Sequence, residues 1–439
     1  AISNWRITSS FPVQIGFDID GEAANDGDWS DVVLSSDGSI AAIGARKNDG
    51  GGADSGHVRV FELSDNSWIQ KGDDIDGIAG GDLLGDGLDI SSDGIILAAG
   101  SYGYDGPNGV DSGHVRIFEW NGSAWVQKGS RLDGEAASDA FGRAVSLSGD
   151  GLIVATTGDG NDASGLNAGH ARVFQWDGND WAQMGSDIDA EAPQDQLGYE
   201  GLALSDDGLL LALGAAHNDG VDLKFSIGHV RVFEWSGSAW VQKGLDIDGA
   251  VAGDQFGEKV AMSSDGSILA ASSPRSDANG TDSGEVRVFQ WSGSAWMQMG
   301  AAIVGEAASD RLRSVALNGD GTILDVGAHT NDGNGASSGQ VRVYQWNGLA
   351  WVQMVTEIDG EGVGVQFGAE ITLNQNGLIL AVFEKSGHAP NENYSGLVRV
   401  YRLAAEPIPS SAPTTQPTSK PSDTPSGQPS STPTSKPSD

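Results

Sequence analysis

Apolar and polar positions alternate in short bursts along this chain, and the bursts recur with a period near 57 residues. The segment Val-Arg-Val-Phe, or a close variant, begins at Val58, Val115, Ala171, Val230, Val286, Val341 and Val398, so successive units are 57, 56, 59, 56, 55 and 57 residues apart. A fixed period of this size is the signature of a repeat array in which each unit is one supersecondary element. Four strands are legible in each unit, most cleanly in the third. Residues 141–147 alternate apolar and polar, as a half-buried strand does. Ser148-Gly149-Asp150-Gly151 follows, and Asp-Gly predicts a type I′ hairpin turn. The run 152–157 is nearly all apolar, which fits a strand packed on both faces. Residues 171–176 and 181–184 form strands three and four around a turn at Asp177-Gly178. No window has the period of a long amphipathic helix.

The two ends of the array complete each other. The seventh unit has its third strand at 398–403 and then no fourth. Pro12-Val13-Gln14-Ile15-Gly16 matches Trp240-Val241-Gln242-Lys243-Gly244, a fourth strand in its own unit. The N-terminus therefore supplies the missing outer strand, and such closure removes the open sheet edges that an incomplete ring would expose. The expected fold is all-β: a seven-bladed β-propeller of four-stranded antiparallel blades over 1–405, followed by an extended Pro-rich tail over 406–439. The long two-to-three and four-to-one loops share one face of the disc. They carry Asp18, Asp20, Glu22, Asp26, Asp28, Asp49 and Asp54, so that face is expected to be acidic.

Charge narrows the partners. Against 24 Lys and Arg stand 61 Asp and Glu, a net charge of −37. Such a surface repels phosphate backbones, which argues against nucleic acid, and attracts cations and basic proteins. The chain has no cysteine, which excludes disulfides and Cys-based zinc sites. No apolar run is long enough to span a bilayer. No signal peptide is visible, and Ala1 fits a residue left by cleavage of one.

The unit Phe256-Gly257, Val260-Ala261-Met262-Ser263, Asp265-Gly266, then Gly284-Glu285-Val286-Arg287-Val288-Phe289 resembles the FG-GAP repeat, which builds the seven-bladed heads of integrin α chains and many secreted proteins. The resemblance covers residues from about 11 to 403 and implies the same fold. Blade one departs with Asp28-Trp29 for Phe-Gly, and blade six with Arg311-Leu312. Calcium-binding members carry Asp-x-Asp-x-Asp-Gly between strands one and two. Here that turn has one carboxylate, as in Ser264-Asp265-Gly266, so the resemblance does not carry integrin-type calcium sites onto this chain.

Candidate sites lie elsewhere. Asp18-x-Asp20-x-Glu22 and Asp187-x-Asp189-x-Glu191 space carboxylates as hard-cation loops do, and Asp277, Asn279 and Asp282 form a second pattern. Calcium is the candidate cofactor at both; the competing reading is Asx-turns and capped loops. His57, His114, His170 and His229 precede the third strand a blade apart, too far to share one metal, and read as structural. Arg59, Arg116, Arg172, Arg231, Arg287, Arg342 and Arg399 sit mid-strand and need acidic or carbonyl partners, for which the neighbouring Asp-Ile-Asp segment is the candidate. Trp pairs flank the outer hairpin. Trp120, Trp125, Trp235 and Trp240 are candidate glycan platforms, and edge-sealing is the alternative. Gly335-Ala336-Ser337-Ser338-Gly339 fits a nucleophile elbow only by coincidence, because it enters a strand rather than a helix.

From Pro409 to Pro437 a proline falls every fourth residue among Ser and Thr. This composition favours extended polyproline II and, at ~3.1 Å per residue, a reach of about 90 Å. It resembles Pro-Thr/Ser repeats in surface and wall proteins of heterokont algae. Asn121, Asn279 and Asn393 begin N-glycosylation triplets. The expectation is a non-enzymatic extracellular or cell-surface adhesion or structural module on a stalk, contacting extracellular proteins or glycans or assembling with itself. The alternatives are a lectin-like propeller and, third, an enzyme with a central-channel site.

Overall fold

The computed structural model describes residues 11–23, 26, 31–220, 225–385 and 395–403. Asp28, Trp29, Asn393 and the tail from 404 lie outside them. Seven antiparallel sheets follow one another in the described chain. In the third blade the strands are Val145–Leu147, Ile153–Gly158, His170–Trp176 and Trp181–Gln183, paired in that order. Val13–Gln14 pairs with Leu397–Arg402 in the register Val13 to Arg402, so the chain's start closes its last blade.

The outer strand is longer than sequence alone predicts, and it is broken. Ile188–Asp189 also pairs with the third strand, placing Asp189 opposite His170 while Gln183 stands opposite Phe174. The break falls at Gly185, whose φ is +78° and whose absent Cβ leaves room for Trp235 of the next blade; an added Cβ would stand 2.9 Å from the indole. A left-handed glycine lets the strand bulge and rejoin the ladder. The Ile-Asp pairs of the Asp-Ile-Asp segments are therefore strand rather than loop.

The turns between strands one and two are not type I′. Only the glycine is left-handed, at +67° for Gly151, while Asp150 keeps negative φ. Gly151 N donates to Ser148 O at 2.8 Å, and the Asp150 carboxylate accepts from Leu152 N at 2.9 Å and from the Ser148 hydroxyl at 2.6 Å. The aspartate holds the turn as an Asx cap, which a type I geometry with a following left-handed glycine permits.

These turns also join the blades. Ser36 N donates to Ser92 O, Ser92 to Gly149, Gly149 to Asp206, Asp206 to Ser264, Ser264 to Gly319, Gly319 to Gln375, and Gln375 back to Ser36, at 2.8–3.1 Å. Seven backbone hydrogen bonds thus close a circle around one mouth of the central channel.

The apolar core lies between blades, not within them. Val115 and Ile117 of blade two pack with Phe141, Val145 and Val154 of blade three, all buried. The Phe-Gly pair does two jobs in this seam. Phe141 is fully buried, and Gly142, at φ +95°, brings its carbonyl so close to Gly100 that a Cβ there would stand 1.9 Å away. The second strand is buried along its length, and its third position is Ala42, Ala98, Ala155, Ala212, Ala270 and Ala381 in six blades. In blade six it is Asp325, with no exposed surface and no hydrogen bond to either carboxyl oxygen.

Candidate functional site

First strands alternate buried, part-exposed and buried residues, so their central side chains face the axis. They enclose a cavity of about 310 Å³ whose lining includes Asp31, Asp86, Arg143, Glu200, Lys259 and Glu370. Arg313 crosses between blades. It donates to Glu258 at 2.8 Å, to Glu370 at 3.0 Å and to Glu200. Lys259 stands 3.3 Å from Glu200 and 3.0 Å from Glu370. Burial alone would push the Glu200 carboxyl up, but Arg313, Lys259 and Arg143 outweigh it and hold it at about 2.

A second group adjoins this one. The Arg143 guanidinium lies 4.5 Å from the Tyr102 ring centroid and 4.4 Å from that of Tyr199. Asp86 pairs with Arg143 at 3.4 Å and with Arg46 at 2.8 Å. Deeper in, Asp89 is pushed up to about 6, chiefly by burial, although it accepts from Leu147 N at 2.7 Å. The carboxylates Glu200, Glu258 and Glu370, which could otherwise serve as acid and base, are thus each held by a cation. Sequence reasoning missed this cluster because its members sit where the repeats disagree. Glu258 and Lys259 follow Phe256-Gly257, whereas Arg143 and Ala144 follow Phe141-Gly142. Charge at positions that vary between repeats was the available signal.

The strand-three arginines bridge blades. Arg59 donates to Asp20 O at 2.7 Å, Arg116 to Asp76 O at 2.6 Å, Arg172 to Asp133 O at 3.1 Å and Arg231 to Asp189 O at 2.8 Å. Arg287 reaches Asp248 O at 2.9 Å and Arg342 Val304 O at 2.8 Å. Arg399 differs: it pairs with Asp18, Glu361 and the buried Glu384. The acceptor in the first six is the backbone carbonyl, so Val304 serves as well as aspartate.

The alternating carboxylates divide between blades. Asp18 lies 3.3 Å from Arg399 of blade seven, while Glu22 lies 3.4 Å from Arg59 of blade one. Asp187 faces His170 and Arg172, while Glu191 faces Arg231 of the next blade. The structure thus does not bring Asp18 together with Glu22, or Asp187 with Glu191, around one point. Asp277 accepts from Asp282 N at 2.9 Å, and the Asn279 amide donates to the Gly305 and Glu306 carbonyls. Asp282 lies 3.5 Å from Arg311. Asn121 is exposed, with its carbonyl accepting from Ser123 and Ala124.

The tryptophans join blades on the outer rim. Trp125 Nε1 donates to Lys71 O at 2.9 Å and Trp240 Nε1 to Met184 O at 2.9 Å. Trp120 packs on Trp125 with centroids 5.5 Å apart, and Trp235 on Trp240 at 5.4 Å. Lys71 stands 5.2 Å from the Trp120 ring. Replacing Trp240 by Phe keeps the ring contact and orphans the Met184 carbonyl, so denaturant unfolding is expected to register a loss of about 1 kcal/mol. An unchanged midpoint would mean the bond contributes nothing.

The FG-GAP repeat family model matches residues 132–174 and 242–289. No curated protein matches the sequence. Many solved structures share the fold, two among them as follows. Hydrazine synthase from Kuenenia stuttgartiensis is 12% identical with a TM-score of 0.52, covering 92% of this chain and 100% of that one. The Cps50 (Swd1) β-propeller domain from Myceliophteria thermophila is 11% identical with a TM-score of 0.54, covering 90% and 100%. One of these neighbours is an enzyme and one is not named as such, so the shared fold leaves the activity to be argued from residues. Among the described residues no helix is long and apolar enough to cross a membrane. The described residues form a seven-bladed β-propeller, two stretches of which match the FG-GAP repeat.

Proposed function

We propose that this propeller is a non-enzymatic adhesion or structural module, displayed outside the cell on its Pro-rich segment and binding basic protein surfaces through its long-loop face. One observation carries the reading. Asp49, Asp105, Asp162, Asp219, Asp277 and Asp332 occupy equivalent positions in the two-to-three loops of six blades, and all six are exposed. Glu22, Glu135, Glu191, Glu306 and Glu361 add exposed carboxylates from the four-to-one loops. A rigid ring of like charge attracts cationic partners and steers their approach. The channel supports the same reading, because its glutamates are engaged by Arg313 and Lys259. The tail's composition and the secreted proteins built on similar repeats favour the extracellular placement.

Antibody raised against the propeller should label intact, non-permeabilised source cells or their extracellular material. Label confined to the cell interior would overturn the placement. For the binding face, the full chain should retain a polylysine surface at 50 mM salt and release it as salt rises. Replacing the six loop aspartates by asparagine should weaken retention at least tenfold; equal retention would remove the acidic face from the proposal.

A further inference from the structure

Beyond that reading, and independent of it, three blade junctions repeat one constellation. Glu22, His57 and Asp74 each offer a ligand atom within 4.8 Å of the other two, as do Glu135, His170 and Asp187, and Glu191, His229 and Asp246. The glutamate comes from the segment entering the blade. The histidine opens the third strand. The aspartate immediately precedes the outer strand's second half.

Each histidine is buried and has at least one ring nitrogen without a hydrogen-bond partner. His57, His170 and His229 are 1%, 0% and 2% exposed. His57 Nδ1, both ring nitrogens of His170, and His229 Nε2 make no hydrogen bond. Their separations from the carboxylates are too long for one: 3.8 Å from His57 Nδ1 to Glu22 and 4.0 Å from His170 Nδ1 to Asp187. Zinc bonds of roughly 2.0–2.2 Å at the tetrahedral angle place neighbouring ligands about 3.3–3.6 Å apart, so a closure of a few tenths of an ångström would bring these atoms onto one ion.

The carboxylates are also oriented. Gln70, Gln183 and Gln242 donate to Oδ1 of Asp74, Asp187 and Asp246, each at 2.6 Å. At Asp187 this leaves Oδ2 toward His170 Nδ1, 4.0 Å away, as supporting hydrogen bonds fix true metal ligands. Burial makes His57 hard to protonate and holds it at about 4, which keeps the imidazole in its ligating form. The charges facing His170 are Asp187, Asp139 and Asp189 against Arg172. The glutamate of each set is exposed, which leaves a path from solvent.

We propose that these three junctions are binding sites for a divalent transition metal of the zinc type, each with one imidazole, two carboxylates and a water-filled position. Imidazole disfavours calcium and magnesium, which take all-oxygen sets. The molecule supplies its own control. His114 is equally buried and unpartnered, but Ile78 and Arg131 stand where the glutamate and aspartate would be.

The test uses the full chain after treatment with a chelator. Calorimetric titration with zinc chloride should give three bound ions per chain, and cobalt should give the visible absorption of a low-symmetry site. His57→Ala, His170→Ala and His229→Ala should each remove one ion, the triple variant all three, and His114→Ala none. Glu22→Gln, Glu135→Gln and Glu191→Gln change exposed side chains and should fold normally; each should weaken its site at least tenfold. Folded protein that binds no zinc, or a triple histidine variant that still binds three, would overturn the proposal.

Discussion

Asp325→Ala is expected to stabilise the protein by about 3 kcal/mol at neutral pH, because it removes a buried carboxyl that has no partner. The position is third in the second strand of blade six, paired with Ala316 and Val343, and six sister blades fill it with alanine. Burial pushes the Asp325 carboxyl well above its usual range, so folding at neutral pH requires it to take up a proton or to bury a charge. The sign follows from linkage. A carboxyl raised in the folded state stabilises fully below its unfolded value of about 3.9, and that contribution is lost as pH rises through the folded value. The advantage of Asp325→Ala should therefore be small near pH 4 and grow toward pH 8. Thermal melts of both proteins across that range should separate by roughly 3–4 °C at the upper end. Asp325→Asn should fall between them, since it loses the charge but keeps an unpartnered amide. A melting point lowered by Asp325→Ala at pH 8 would mean that the carboxyl is satisfied.

The blades were legible in the sequence because they are built from alternation and turn residues. Val-Arg-Val-Phe fixes the third strand seven times, and the Pro12-to-Gly16 match to Trp240-to-Gly244 locates the closing strand. What the pattern could not show was the broken outer strand. Asp187-Ile188-Asp189 reads as a loop because two acids flank one apolar residue, yet the same alternation suits a strand with one face buried. The turn was misread for a related reason. Asp-Gly is compatible with two geometries, and the Ser148 and Asp150 side chains select the one with negative φ at aspartate.

The sites were less legible than the fold. Metal-like spacing along the chain drew attention to Asp18 with Glu22, but a strand sends those side chains to different neighbours. The three Glu-His-Asp sets draw on segments 17–38 residues apart and become visible only when blades are laid side by side. The channel cluster is more distant still, since Arg313 meets Glu200 across 113 positions. Repeats announce what they share. The channel's charge cluster sits where they differ.

Arg313→Met should cost about 4 kcal/mol at pH 7, because one buried guanidinium serves three carboxylates. Lys259 would remain for Glu200 and Glu370, while Glu258 would lose the partner now 2.8 Å away. The pH dependence runs opposite to that of Asp325. Glu200 is held near 2, below its ordinary 4.5, so its pairing stabilises the fold above about pH 4.5 and is lost as pH falls toward 2. Wild type and Arg313→Met should thus differ most at neutral pH and converge as the solution is acidified through that window. Adding Glu258→Gln to Arg313→Met removes the stranded charge and should recover part of the loss, which denaturant unfolding of the two variants can measure. If the single variant matches wild type at pH 7, the cluster is not holding the first strands together. If the second substitution deepens the loss instead, Glu258 has another cation, and the channel's charge balance must be redrawn around it.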